Sequence, residues 1–190
     1  MYNYSNITKK ITLKKSVYEA NYDRLIKIFG KDVFENPELC LGERYGITIE
    51  NGMYMKLSLS FMYYDEKKQW NVFYLAHTSI QNGDVMEDPG MHIAVKVGEM
   101  IGYVEATSFT NHYMGTYQEV YLEDGRYYPR IKKELNSFLI TWLKNLKLQR
   151  FDERLEEFRA QSKERMEALK NKQNAASEES SENQNPILTT

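Results

Sequence analysis

The chain has 190 residues, 42% apolar and 27% charged, with a formal net charge of −2. That length allows one domain and an extension, and a segment of about 150 residues can bury well over half of its unfolded surface. Cys40 is the only cysteine, which excludes an intramolecular disulfide and any CxxC zinc pair, and no run of about 18 apolar residues offers a membrane span.

The first fifteen residues lack an apolar run of signal-peptide length, and with one cysteine the chain reads as cytoplasmic. Charge is uneven. Lys9, Lys10, Lys14 and Lys15 make residues 1–15 a basic segment, residues 16–129 are net acidic, residues 130–172 are net basic, and Glu178, Glu179 and Glu182 follow. Such blocks read first as a solvated surface.

Ser16 and Glu19 form a capping box, so a helix is expected from Val17 to Phe29. Tyr18, Tyr22, Leu25, Ile26 and Phe29 share its apolar face, and Gly30 stops it. A strand over 45–50 runs into Asn51-Gly52, a strong hairpin signal. In the return strand Met55, Leu57, Leu59 and Phe61 alternate with Lys56, Ser58 and Ser60, the pattern of an antiparallel sheet with one wet face. Residues 65–69 read as a turn and Trp70–Ile80 as the next strand.

Residues 81–90, QNGDVMEDPG, read as a loop because Asn-Gly-Asp and Asp-Pro-Gly are both turn signals. A strand then carries Ile93, Val95 and Val97 on one side, Gly98-Glu99 suggests a tight turn, and Met100–Phe109 is the partner strand. A loop at 110–115, a strand over 116–122 and a turn at 123–125 complete the sheet. Pro129 suits the first position of a helix. Its stripe of Ile131, Leu135, Phe138, Leu139, Trp142, Leu143 and Leu146 should pack across the sheet, and Phe151, Leu155 and Phe158 continue it more narrowly.

The expected fold is α+β: an N-terminal helix, an antiparallel sheet of five or six strands and a long C-terminal helix packed on the sheet. The expected boundaries are a basic segment at 1–15, a single domain at 16–158, a charged helical extension at 159–172 and a disordered tail at 173–190, whose Ser, Glu, Asn and Gln cannot bury enough surface to order themselves.

The segments NGDVMEDPGM at 82–91, GTYQEVY at 115–121 and LNSFLITWLKNLKLQRF at 135–151 together resemble an uncharacterised bacterial family, a domain of unknown function carried on conjugative elements, plasmids and phages. Arg150 stands where the last motif leads one to expect glycine. The resemblance implies a mobile-element setting and brings no catalytic residues.

Four groups of residues invite a functional reading. Asp84, Glu87, Asp88 and His92 combine carboxylates with an imidazole and so suit a divalent cation, but the calcium-loop pattern is missing and the turn reading is simpler. Tyr117, Glu119 and Tyr121 share one face of a strand. If that face is wet it offers rings and a carboxylate to a ligand; if it is inside, Glu119 must be a paired structural residue, which is the favoured reading. His77, His92 and His112 lie on three segments with no spacing that ties them together. Arg130, Lys132, Lys133, Lys144, Lys147 and Arg150 make the last long helix basic, yet a pI of about 6.0 is low for a nucleic-acid binder.

No HExxH, GxSxG, Walker or GxGxxG motif is present, and Cys40 reads as packing. The sequence favours a non-enzymatic protein-binding module from a mobile element, a regulator or inhibitor of a host or defence system. The binding candidates are Asp84, Asp88, His92, Tyr117, Glu119 and Tyr121. No cofactor, metal ligand set or membrane contact is expected, and the chain should be a monomer or weak homodimer with a protein partner. The alternatives are a metal-dependent hydrolase using Asp84, Asp88 and His92, and nucleic-acid binding by the basic helix.

Overall fold

Ser16 opens the first helix as its pattern predicts. Its Oγ accepts the Glu19 N–H at 3.3 Å, and Glu19 Oε2 accepts the Ser16 N–H at 2.6 Å, at the head of α1 (Val17–Phe29). The computed structural model describes residues 15–42 and 46–156 and, beyond them, 158–160, 163–164, 167–168 and 171. Most of the basic N-terminal segment and the tail expected to be disordered lie outside the described residues.

Gly30, at φ +90°, ends α1. Two short helices follow that the periodicity does not reveal, α2 (Asp32–Glu35) and α3 (Pro37–Leu41). They are too short for a 3.6-residue repeat to show, yet they bury Val33, Phe34, Cys40 and Leu41. Phe34 packs edge-on to Phe73 at 5.0 Å.

Among the described residues the sheet has seven strands: β1 (Gly46–Ile49), β2 (Lys56–Asp65), β3 (Trp70–Gln81), β4 (Asp84–Lys96), β5 (Tyr103–Ala106), β6 (Ser108–Asn111) and β7 (Thr116–Glu119). All pairings are antiparallel, in the order β1-β2-β3-β4-β6-β7, with β5 also on β4. The strand expected over 100–109 is divided at Thr107, which raises the number above five or six.

Three turn assignments change. Asn51-Gly52 is not a two-residue hairpin, because Ile49 pairs with Leu57 and a longer loop intervenes. Asn51 is instead held by the far end of the chain: its Nδ2 donates to Gln149 O at 2.6 Å and its Oδ1 accepts from Arg154 Nε at 3.4 Å. The tight hairpin is at Asn82-Gly83, both at positive φ, with Gln81 opposite Asp84. The expected loop at 81–90 is therefore mostly strand, and Asp88-Pro89 form a bulge opposite His77, joined by a cis peptide bond. Gly98-Glu99 also lie in a longer loop, since Lys96 pairs with Tyr103.

The long β2–β3–β4 meander obeys the two-residue alternation. Leu57, Leu59, Phe73, Leu75, Met91, Ile93 and Val95 all point to one side, into a single core. That side is covered by α1 and by α4 (Pro129–Leu148), whose Leu135, Leu139, Trp142, Leu143 and Leu146 are buried as the stripe predicts. Burying each such side chain contributes roughly 1.5–3 kcal/mol. Phe138 sits at the margin, edge-on to Phe109 at 5.4 Å.

Arg150 adopts φ +62°, the left-handed turn between α4 and α5 (Phe151–Arg154), at the position where the motif suggests glycine. Phe151 and Leu155 are fully buried and Phe158 packs against the same core. The described residues from 156 onward are helical. No helix among the described residues is long and apolar enough to cross a membrane.

Candidate functional site

The alternate positions of the same strands face away from the helices. Ser58, Ser60, Tyr63, Trp70, Tyr74, His92, Thr110, Tyr117 and Glu119 line this second face, and no described residue builds a layer over it. A cleft of about 270 Å³ opens there. Its shape follows from register. Tyr63, Val72, Ala94 and Glu105 are consecutive partners across β2, β3, β4 and β5, so two small side chains form the floor between larger neighbours. The β2–β3 turn raises Asp65, Lys68 and Trp70 on one rim, and Thr107, Ser108, Glu119 and Tyr121 form the other.

His92 stands on the floor. Its Nδ1 lies 2.7 Å from Ser108 Oγ, and its ring packs on Tyr74 at 4.7 Å. Burial lowers the His92 pKa, with Glu119 and Glu87 opposing more weakly, so the imidazole is neutral near pH 7. The Ser108–His92 contact has the reach of a nucleophile and base. Ser108 is only 3% exposed, however, and its Oγ also accepts the His92 backbone N–H at 3.2 Å. The hydroxyl serves to fix the ring and the β4–β6 junction. Sequence reading passes over Ser108, because a lone serine in a strand carries no signal.

Beside the cleft lies a paired buried charge. Glu105 is 6% exposed; its carboxylate meets Lys132 Nζ at 2.8 Å and accepts from Tyr121 Oη at 2.6 Å. Lys132 in turn donates to Tyr121 Oη at 2.9 Å. Burial would lower the Lys132 pKa, but the hydrogen bonds to Glu105 and Tyr121 outweigh it and hold the ammonium above its usual range. Glu105 thus fills the structural role expected of Glu119, and Glu119 is exposed. Tyr117 and Glu119 share a face of β7, as alternation requires, and that face is the wet one.

The other candidates separate. His92, Glu119 and Tyr121 converge on the cleft, and Tyr117 lies exposed on β7 beside it. Asp84 and Asp88 do not line it. Asp84 is exposed at the hairpin end, and Asp88 accepts from Asn111 Nδ2 at 2.5 Å. Glu87 accepts from Tyr74 Oη at 2.5 Å, and its backbone N–H donates to His112 Nδ1 at 3.1 Å. His77 is buried on the helix side against Trp142 and Phe151, so the three histidines stay apart. Among the described residues no three His, Cys, Asp or Glu side chains are placed to share a metal ion. Several helix cations are engaged within the chain, Lys132 with Glu105, Arg130 with Glu134 and Arg150 with Glu153, and Trp142 is buried away from any base.

Fold and cleft define an α+β domain with one sheet face covered by helices and the other open and aromatic. The chain belongs to the family described as a domain of unknown function, DUF6908, whose pattern matches residues 21–152 and so takes in the whole cleft. No curated protein and no solved structure matches it.

Proposed function

We propose that the chain is a non-enzymatic protein-binding module that docks its partner on the open sheet face. The observation that carries this reading is the cluster of Tyr63, Trp70, Tyr117 and Tyr121 around a cleft on a face with no described covering layer. Tyr and Trp give large contact area at low entropic cost and dominate interface energetics. His92, Ser108 and Tyr121 are already hydrogen-bonded within the chain, which suits recognition better than turnover. In the mobile-element setting that the motifs imply, such a module serves as a regulator or inhibitor of a cytoplasmic host protein.

The test is site-specific photo-crosslinking in the native host. A photoreactive side chain at Tyr63 or Tyr117 should trap the same discrete protein, and one at Ser137, exposed on α4, should not. Adducts absent from the open face, or equally abundant from Ser137, overturn the proposal.

A further inference from the structure

A cation already sits in the cleft. Lys68 Nζ lies 3.9 Å from the centroid of the Tyr121 ring and 5.5 Å from that of Trp70, both within cation–π range. No described carboxylate lies within ion-pairing distance of it. The rings therefore hold the ammonium, and the lining carboxylates Asp65 and Glu119 leave it alone. Lys68 is exposed on a four-residue turn, and its backbone N–H, donating to Asp65 Oδ1 at 3.1 Å, anchors that turn independently of the side chain. The long side chain can leave without unfolding anything.

With Lys68 swung out, the cleft presents Tyr63, Trp70 and Tyr121 together with Asp65 and Glu119 and no exchangeable cation of its own. Lys132, whose ammonium lies 5.2 Å from the Tyr121 ring centroid, stays bound to Glu105. Aromatic faces beside two carboxylates are complementary to a guanidinium, which is planar, stacks on rings and forks to carboxylate oxygens. Asp65 already takes the Lys68 backbone N–H and Glu119 the Tyr117 hydroxyl, yet no described cation pairs with either carboxylate, so a neutral or acidic guest would leave both charges unbalanced.

We infer that the cleft is a receptor for an arginine side chain of the protein partner, and that Lys68 is a resident placeholder which the arginine displaces. This rests on the open face being the docking surface and names the chemistry that it selects. It also gives Lys68 a sign opposite to that of an ordinary contact residue: removing it strengthens binding.

The experiment is titration of the isotopically labelled full chain with Nα-acetyl-arginine methylamide, followed by NMR, with the glutamate analogue as control. Arginine should shift the Trp70 indole resonance and leave that of Trp142 in place. Lys68→Ala and Lys68→Gln should bind roughly 2- to 5-fold tighter, the factor that corresponds to loss of one exposed cation–π competitor. Glu119→Gln should bind more weakly. No shift with arginine, equal shifts with the glutamate analogue, or unchanged or weaker binding by both Lys68 variants overturns the inference. If that happens while crosslinks from Tyr63 and Tyr117 persist, the docking face stands and only its arginine preference falls.

Discussion

Replacing Lys132 with methionine removes one partner from a pair whose other member is almost wholly buried. The Glu105 side chain is 8% accessible and that of Lys132 is 20% accessible. Breaking a buried pair costs about 3–5 kcal/mol, because the remaining charge is left desolvated, and the partial exposure of Lys132 places the expected loss near 3 kcal/mol. For a domain of this size that lowers the melting temperature by roughly 10 °C. Adding Glu105→Gln to Lys132→Met should restore at least about 1.5 kcal/mol, since a neutral amide no longer needs the ammonium. Arg130→Met is the internal control. Its pair with Glu134 lies on the same helix with side chains 88% and 55% accessible, so its loss should leave stability nearly unchanged. The assay is urea unfolding at pH 7. Because the folded pKa of Lys132 is raised, its contribution is fully present below the unfolded value of 10.5 and is lost only as pH rises beyond it. A Lys132→Met loss as small as that of Arg130→Met, or a double variant additive within about 0.5 kcal/mol, refutes the reasoning.

Asn136→Ala should cost about 2–4 kcal/mol in chemical denaturation, because Asn136 is fully buried and its amide bonds the Ala106 N–H at 3.0 Å and Lys132 O at 2.8 Å. Arg150→Gly should raise stability by about 0.5 kcal/mol, since the left-handed turn strains any side chain and the exposed Arg150–Glu153 pair returns little; a fall in melting temperature would contradict this. Stability should also decline in acid before the carboxylates titrate. Burial lowers the His77 pKa, so below 6.5 the unfolded chain takes up a proton that the folded chain refuses, at a cost of up to about 1.4 kcal/mol per pH unit. His77→Asn should reduce that slope to the part contributed by His92, whose pKa burial also lowers, and an unaltered slope would count against it.

Local chemistry made some of this legible. The Ser16–Glu19 cap, the Pro129 start and the α4 stripe depend on residues within a few positions of one another, and each appears where its pattern puts it. The two Asn-Gly pairs show where local reading ends. They are identical as dipeptides, yet only Asn82-Gly83 joins strands in a two-residue turn. Asn51 is claimed by Gln149 and Arg154, about a hundred residues away, and no window around it carries that information. Asp-Pro-Gly is ambiguous for a related reason: a bulge within a long strand uses the same residues as a turn. The site divides likewise. Alternation places Tyr117 and Glu119 together, whereas joining them with His92 needs the β4–β6–β7 order. Glu105 and Lys132 meet only after α4 folds back over β5, and Lys68 looks like any solvated turn residue until its ring partners are known.

Asn136 has a consequence beyond its own energy. Its side chain gives Ala106 both hydrogen bonds that a neighbouring strand would give, one to the N–H and one, longer, from Nδ2 to the carbonyl at 3.4 Å. Among the described residues β5 pairs with β4 on one side, so its other side is a place where the sheet could grow laterally. A single amide from a helix occupies that growth point. Exposed edges recruit foreign strands, and this one is closed by a side chain that cannot propagate a ladder. Loss of Asn136 would therefore leave that backbone edge without its two bonds beneath a helix, and only loosening of α4 would open it to another strand.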